Sequence, residues 1–149
     1  MRFKSPSPSP EVLQQVFSAA SLGDNDAYDY MRLWIKATRL IDDLFDEIED
    51  WAEEKTYQLA QTLLVDLPAN KFFHAHSSAL LPHHLTVLNA WRDSNDWKKS
   101  EEKPKQLHAH VICEQTADIF ILVSYLTGGY ENMRNNSLKI RELFLKEEF

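Results

Sequence analysis

An acidic tract about one third of the way along the chain contains the first residues that could hold a metal ion. Eight of the thirteen residues from 42 to 54 are aspartate or glutamate, and none is basic. On a helix, Asp42 lies one turn from Asp46, and Asp43 lies one turn from Glu47. Carboxylates at that spacing can share a hard cation such as Mg²⁺, which prefers oxygen ligands. A solvated helix face is the alternative interpretation of the same tract.

A second group of possible ligands follows much later in the chain. His110, Glu114 and Asp118 are four residues apart, so one continuous helix would present them as a single stripe. Asp118 is the only charged residue between Ala117 and Leu126, and such an apolar segment is typical of a buried helix. A buried carboxylate requires a cation, a metal ion or several hydrogen-bond donors.

Together, the two groups predict a divalent-metal site between helices, with Mg²⁺ or another divalent cation as the bound ion. Its expected ligands are Asp42, Asp43, Asp46, Glu47, His110, Glu114 and Asp118. The structural alternative is a salt bridge from Asp118 to Arg32, Arg39 or Arg141. No other cofactor site is expected, because the chain has no glycine-rich phosphate loop.

The histidines are a further feature with chemical potential, because imidazole is a common ligand of transition metals. All six lie between residues 74 and 110, but none forms an HExxH pair. His83 and His84 are adjacent, so on a helix they cannot both face one ion. We expect most histidines to be exposed or hydrogen-bonded, and His76 and His110 are the candidates for ligation. The single cysteine, Cys113, is expected to pack in the core.

Helices are predicted to position all of these residues. The chain has three glycines, and three of its six prolines lie in an opening Ser-Pro run, so few turn formers remain. Apolar periodicity and helix-terminating residues predict helices over 11–20, 27–54, 55–66, 82–93, 105–127 and 130–146, the fifth ending at Gly128-Gly129. The expected fold is all-α, a single-domain antiparallel bundle of five to six helices over 11–149, preceded by an extended arm over 1–10.

Composition and charge narrow the classes of function. Sixteen basic and 23 acidic residues give a net charge of −7, which argues against broad binding of nucleic acid or anionic membranes. One cysteine excludes an intramolecular disulfide. The chain lacks an apolar run of membrane-spanning length and the apolar core of a signal peptide, so we expect a soluble, cytoplasmic protein with no membrane partner.

Three stretches, in their order and spacing, resemble small uncharacterised all-α proteins encoded by tailed bacteriophages and prophages. They are residues 42–46; residues 67–73 with His76, Leu81-Pro82 and Trp91; and His110-Val111 through Asp118 to Gly128-Gly129 and Ile140-Arg141. The resemblance covers about residues 25–146. It implies a phage setting, in the host cytoplasm or the virion, but no activity. Where such proteins often carry an arginine soon after the His-Val pair, this chain has Ile112, Cys113 and Glu114, which argues against phosphate binding there.

A second similarity is to all-α nucleoside-triphosphate pyrophosphatases, which place acidic pairs on two facing helices around Mg²⁺. This similarity implies a Mg²⁺-dependent phosphohydrolase acting on nucleotides or related phosphates, although the chain has no EExxE string. The favoured alternative is a non-catalytic accessory protein, a module for protein interaction or assembly. That function predicts a protein partner or self-association through an exposed apolar patch around Phe72, Phe73 and Trp97. Whether the chain is an enzyme stays open at this point.

Overall fold

The computed structural model describes residues 9–46 and 52–145, and its elements there are helical, with no strand among them. The helices are α1 (Pro10–Ser21), α2 (Asn25–Asp46), α3 (Ala52–Gln61), α4 (Leu67–Ala69), α5 (Lys71–Lys98), α6 (Lys103–Cys113) and α7 (Asp118–Leu143). A π-helical turn, Thr62–Asp66, joins α3 to α4, and a 3-10 turn, Glu114–Ala117, joins α6 to α7. The all-α fold class is therefore confirmed.

The chain divides into two compact units. One contains α1 together with the chain from Ser78 onward, and the other is Gly23–Ser77. Helix α5 contributes residues to both units, and its backbone is kinked at His76 (φ −116°, ψ 18°), close to the boundary. Most of the predicted arm, residues 1–8, lies outside the described residues. Pro10, placed in that arm by the sequence, is instead the first residue of α1, where a missing N–H has no cost.

In the first unit, α1 packs against α7. The ring of Phe17 lies 5.4 Å from that of Phe120, which is fully buried and also stacks on Phe144 at 6.0 Å. Polar side chains of α7 reinforce the contact, because the Thr127 hydroxyl donates to the Ala20 carbonyl at 2.6 Å. This hydrogen bond satisfies the Ala20 carbonyl, which lies in the last turn of α1 and would otherwise lack an intrahelical partner.

The predicted helix break at Gly128-Gly129 is present within α7. Gly129 has φ 73° and ψ −170°, a conformation open essentially only to glycine. A Cβ on Gly128 would overlap Leu22 Cδ1 and would lie 2.6 Å from the Asn132 Cβ. The two glycines therefore have different roles: Gly129 turns the backbone, and Gly128 admits the end of α1.

The second unit is organised around Tyr30 of α2, whose side chain is fully buried. Its ring lies 5.7 Å from that of Phe72 and 6.2 Å from that of Phe73, both in the first turn of α5. Burial raises the pKa of Tyr30, so the phenol stays neutral. The Asn70 side chain ties the same region together, since its amide donates to the Asp26 carbonyl at 2.9 Å.

The helix predicted to start at Pro82 starts eleven residues earlier, at Lys71. Asn70 provides the start, because its backbone is extended and its side-chain oxygen accepts from the Phe73 N–H at 2.8 Å. Pro82 therefore lies inside α5, where it removes one hydrogen bond of the helical ladder. The prediction gave Pro82 the role of a first-turn residue, and that role was wrong.

By length and composition alone, the helical stretch Lys103–Leu143 would be long and apolar enough to cross a membrane. The core helix of a water-soluble protein passes the same test.

Candidate functional site

The acidic end of α2 lies in the Gly23–Ser77 unit. Asp42 is exposed, and Asp43 is paired with a lysine of α3: its Oδ2 lies 3.3 Å from Lys55 Nζ. Asp46 is the last residue of α2, and Glu47 lies outside the described residues. At least one predicted metal ligand of this helix thus forms a half-exposed ion pair, as expected of an acidic face in contact with solvent.

The second group of predicted ligands does not share one continuous helix. His110 lies in the last turn of α6, Glu114 begins the 3-10 turn, and Asp118 begins α7. The hydroxyl of Thr116 donates to the Cys113 carbonyl at 3.5 Å, the kind of local side-chain bond that competes with the α-helical ladder. Because a 3-10 turn winds more tightly than an α-helix, the expected stripe is interrupted. The prediction of one helix over 105–127 was wrong.

Asp118 is half-buried rather than fully buried. Its Oδ1 is covered and lies 3.2 Å from Arg141 Nη1, while its side chain as a whole is 32% exposed. The contact is an ion pair without the geometry of a hydrogen bond, since Oδ1 has no hydrogen-bond partner. Of the two expectations for Asp118, the structure contains the salt bridge to Arg141.

The exposure of this pair sets the size of its contribution to stability. Replacing Asp118 with asparagine should lower the free energy of unfolding by about 1 kcal/mol or less, because the Arg141 side chain is 57% exposed and ion pairs screened by solvent contribute little. Arg141→Gln is the matched change, and a double-mutant cycle by urea denaturation gives the coupling energy. A loss of about 3–5 kcal/mol would instead mean that removing one partner strands a buried charge.

The predicted metal site remains a prediction. Within residues 9–46 and 52–145, no three histidine, cysteine, aspartate or glutamate side chains are grouped so that they could hold a metal ion. Asp42 and Asp43 belong to one compact unit, whereas His110, Glu114 and Asp118 belong to the other.

The histidines have several environments. The ring of His76 packs 4.6 Å from that of Phe72, and the ring of His108 makes an edge contact with Trp97 at 6.5 Å. His110 and His84 are buried. Burial, with the neighbouring His83 as a smaller cause, lowers the pKa of His84 from 6.5 to about 4, so this imidazole is neutral at physiological pH.

The apolar patch expected around Phe72, Phe73 and Trp97 is not formed as predicted. Phe72 is buried against Tyr30 and Phe73 is half-buried, so these side chains belong to the core of their unit. Trp97 is 37% exposed and contacts His108. Phe72 and Phe73 therefore pack in the core of their unit and do not form the expected docking surface.

A different apolar surface is exposed on α5. Leu81, Leu85 and Leu88 are 52%, 69% and 41% exposed, and their spacing of four and then three residues places them on one stripe, here called the leucine face. The buried residues of this half of α5, among them Leu80 and Val87, lie roughly 120° around the helix. The leucine face is therefore a surface separate from the face that α5 turns to the core.

The leucine face lies on the longest stretch of the chain that carries no aspartate, glutamate, lysine or arginine. The stretch spans the twenty residues 72–91, in a chain with 26% charged residues. Leucines exposed at this spacing on a helical segment without charged side chains are typical of a helix-packing surface. The sequence contained this signal, but placing the helix start at Pro82 left Leu81 outside the helix.

Comparison of the chain with protein-family models, with curated proteins and with solved structures found no match in any of the three.

Proposed function

We propose that this chain is a protein-interaction module whose docking surface is the leucine face of α5. The observation that carries the proposal is the exposure of Leu81, Leu85 and Leu88 on a helix with no formal charge between residues 72 and 91. Exposed apolar side chains scattered singly are ordinary, but an aligned set marks surfaces that other molecules cover. A docking function requires no catalytic group. It also explains why the apolar side chains of Leu81, Leu85 and Leu88 lie on the surface and not in the core.

The setting of this module is proposed from the sequence. The resemblance to small phage and prophage proteins supports an accessory role in virion assembly or host takeover, in the host cytoplasm or virion. The antiparallel packing of the helices and the divalent-metal site remain predictions. The phosphohydrolase alternative needs Mg²⁺ bound by convergent carboxylates. Calorimetric titration with Mn²⁺ tests it: saturable binding that Asp118→Asn abolishes would support that alternative.

Hydroxyl-radical labelling of leucine side chains tests the docking role. Oxidation is compared between the purified chain at high dilution and the chain labelled inside the producing cell. We expect protection of Leu85 and Leu88 in the cell, with Leu138, which is 58% exposed on α7, as the internal reference. Oxidation of Leu85 and Leu88 that matches the diluted chain, relative to Leu138, would show that nothing covers the leucine face and would contradict the proposed function.

A further inference from the structure

We infer that the partner of the leucine face is a second copy of this chain, joined through α5 in an antiparallel pair. This inference rests on the proposed function, because it names the molecule that covers the same surface. Two copies related by a twofold axis would present identical faces to each other, so the face must complement itself. Three features determine whether two such faces fit together: the absence of charge on the leucine face, the spacing of its leucines and the position of Arg92.

Charge is the first requirement for self-association. Each copy carries a net charge of −7, so two copies repel over most of their surfaces. Electrostatic repulsion between two copies is weakest where neither surface carries a fixed charge. Residues 72–91 contain no aspartate, glutamate, lysine or arginine. A partner selected by charge would instead be basic and would be drawn to acidic surfaces such as the exposed end of α2 around Asp42.

Spacing is the second requirement. The steps of four and three residues from Leu81 to Leu85 and from Leu85 to Leu88 are those of one seam of a coiled coil. Side chains at these positions fit between the corresponding side chains of an identical helix. Asn89, which borders the seam, is exposed and uncharged, so it contributes a polar edge that carries no charge into the contact.

The next residue along the stripe determines the direction of pairing. Arg92 follows Leu88 by four residues and is exposed. In a parallel pair the two Arg92 side chains would meet at the seam, and like charges in contact oppose association. In an antiparallel pair centred between Leu81 and Leu85, Leu88 faces Ser78 of the second copy. The two Arg92 residues are then about 27 Å apart along the helix axis, at 1.5 Å per residue.

Sedimentation velocity of the purified full-length chain tests the inference over about 5–200 µM, a range suited to a short seam. We expect the mass to rise towards twice the 17.4 kDa of one chain. Leu85→Glu should weaken the dimer by at least about tenfold, because it places a carboxylate at the centre of the seam. Thr86→Glu is the matched control: it adds the same charge to the exposed neighbouring residue, about 100° around the helix.

Every outcome bears on a distinct part of the inference. A wild-type chain that stays monomeric at the highest concentration overturns the second copy as partner. If labelling in the cell still shows Leu85 protected, the proposed function stands and another protein covers the face. Equal dimerisation of Leu85→Glu and wild type, with unchanged circular dichroism, overturns the leucine face as the seam. A tighter dimer in Arg92→Gln overturns the antiparallel direction, since relief of repulsion is expected only in a parallel pair.

Discussion

Replacing Phe120 with alanine should lower the free energy of unfolding by about 3–5 kcal/mol, the usual cost of emptying a fully buried aromatic site. Phe120 has no exposed surface and packs between Phe17 and Phe144, at ring distances of 5.4 and 6.0 Å. Its loss would leave a cavity between α1 and α7 that these two rings can close only in part. Urea denaturation monitored by circular dichroism gives the change.

Tyr125→Ala provides the control for Phe120, because Tyr125 lies five residues later on α7 and is 48% exposed. Its loss should be below about 1 kcal/mol. Similar losses at the two positions would contradict the placement of Phe120 in the core of its unit. The slope of the unfolding free energy against urea concentration is a further measure. If it differs between Phe120→Ala and the wild type, the substitution changes the compactness of the folded or the unfolded state as well as the stability.

Acidification from pH 6.5 to pH 4 should lower the stability of the protein by about 3 kcal/mol through His84 alone. Burial lowers the pKa of this imidazole from 6.5 to about 4, so over this range the unfolded chain binds a proton that the folded chain does not. The stability that comes from keeping His84 neutral is fully present at pH values well above 6.5, the pKa of this imidazole in the unfolded chain. This stability is lost as the pH falls through about 4, the pKa of His84 in the folded chain.

The effect of His84 is measured as a difference between two pH profiles. In His84→Gln the side chain cannot be protonated over this range, so its unfolding free energy should fall less steeply between pH 6.5 and 4 than that of the wild type. The carboxylates titrate in both proteins and cancel in the comparison. Parallel profiles would show that His84 is protonated equally easily in the folded and unfolded chains, contrary to its burial.

Local signals in the sequence were sufficient for several elements of the fold. The first helix was placed at 11–20 because Glu11 directly follows the Ser-Pro run, and α1 is Pro10–Ser21, with the Ser9 hydroxyl accepting from the Val12 N–H. Asp24 caps α2 by accepting from the Asp26 and Ala27 N–H groups at 3.0 and 3.1 Å. Caps and periodicity act within one or two turns, which is why sequence alone reveals them.

Tertiary packing decided the elements that the sequence placed wrongly. Pro82 indicated a helix start, but α5 continues through it because buried residues on both sides, Leu80 and Val87, hold the helix against the core. The π-helical turn Thr62–Asp66 and the 3-10 turn Glu114–Ala117 leave no distinct pattern in composition. The second of these turns interrupts the predicted His110–Glu114–Asp118 stripe.

The candidate site shows the same division between local and tertiary information. The acidic residues are evident in the sequence, but ligation depends on how carboxylates from distant elements converge, which no local pattern specifies. Phe72 illustrates the opposite error, since its type suggested a docking surface while Tyr30 covers it. The leucine face was accessible to sequence analysis, through the absence of charge from 72 to 91.

A photo-crosslinking side chain introduced at position 85, in cells that produce the full-length chain, tests the central claim most directly. The same side chain at position 86 is the control, because Thr86 is also exposed but lies about 100° around the helix from Leu85, away from the leucine face. We predict a discrete protein adduct from position 85 and none from position 86, with a mass near twice 17.4 kDa if the partner is a second copy. Absence of an adduct from position 85, or equal adducts from both positions, would contradict an interaction through the leucine face.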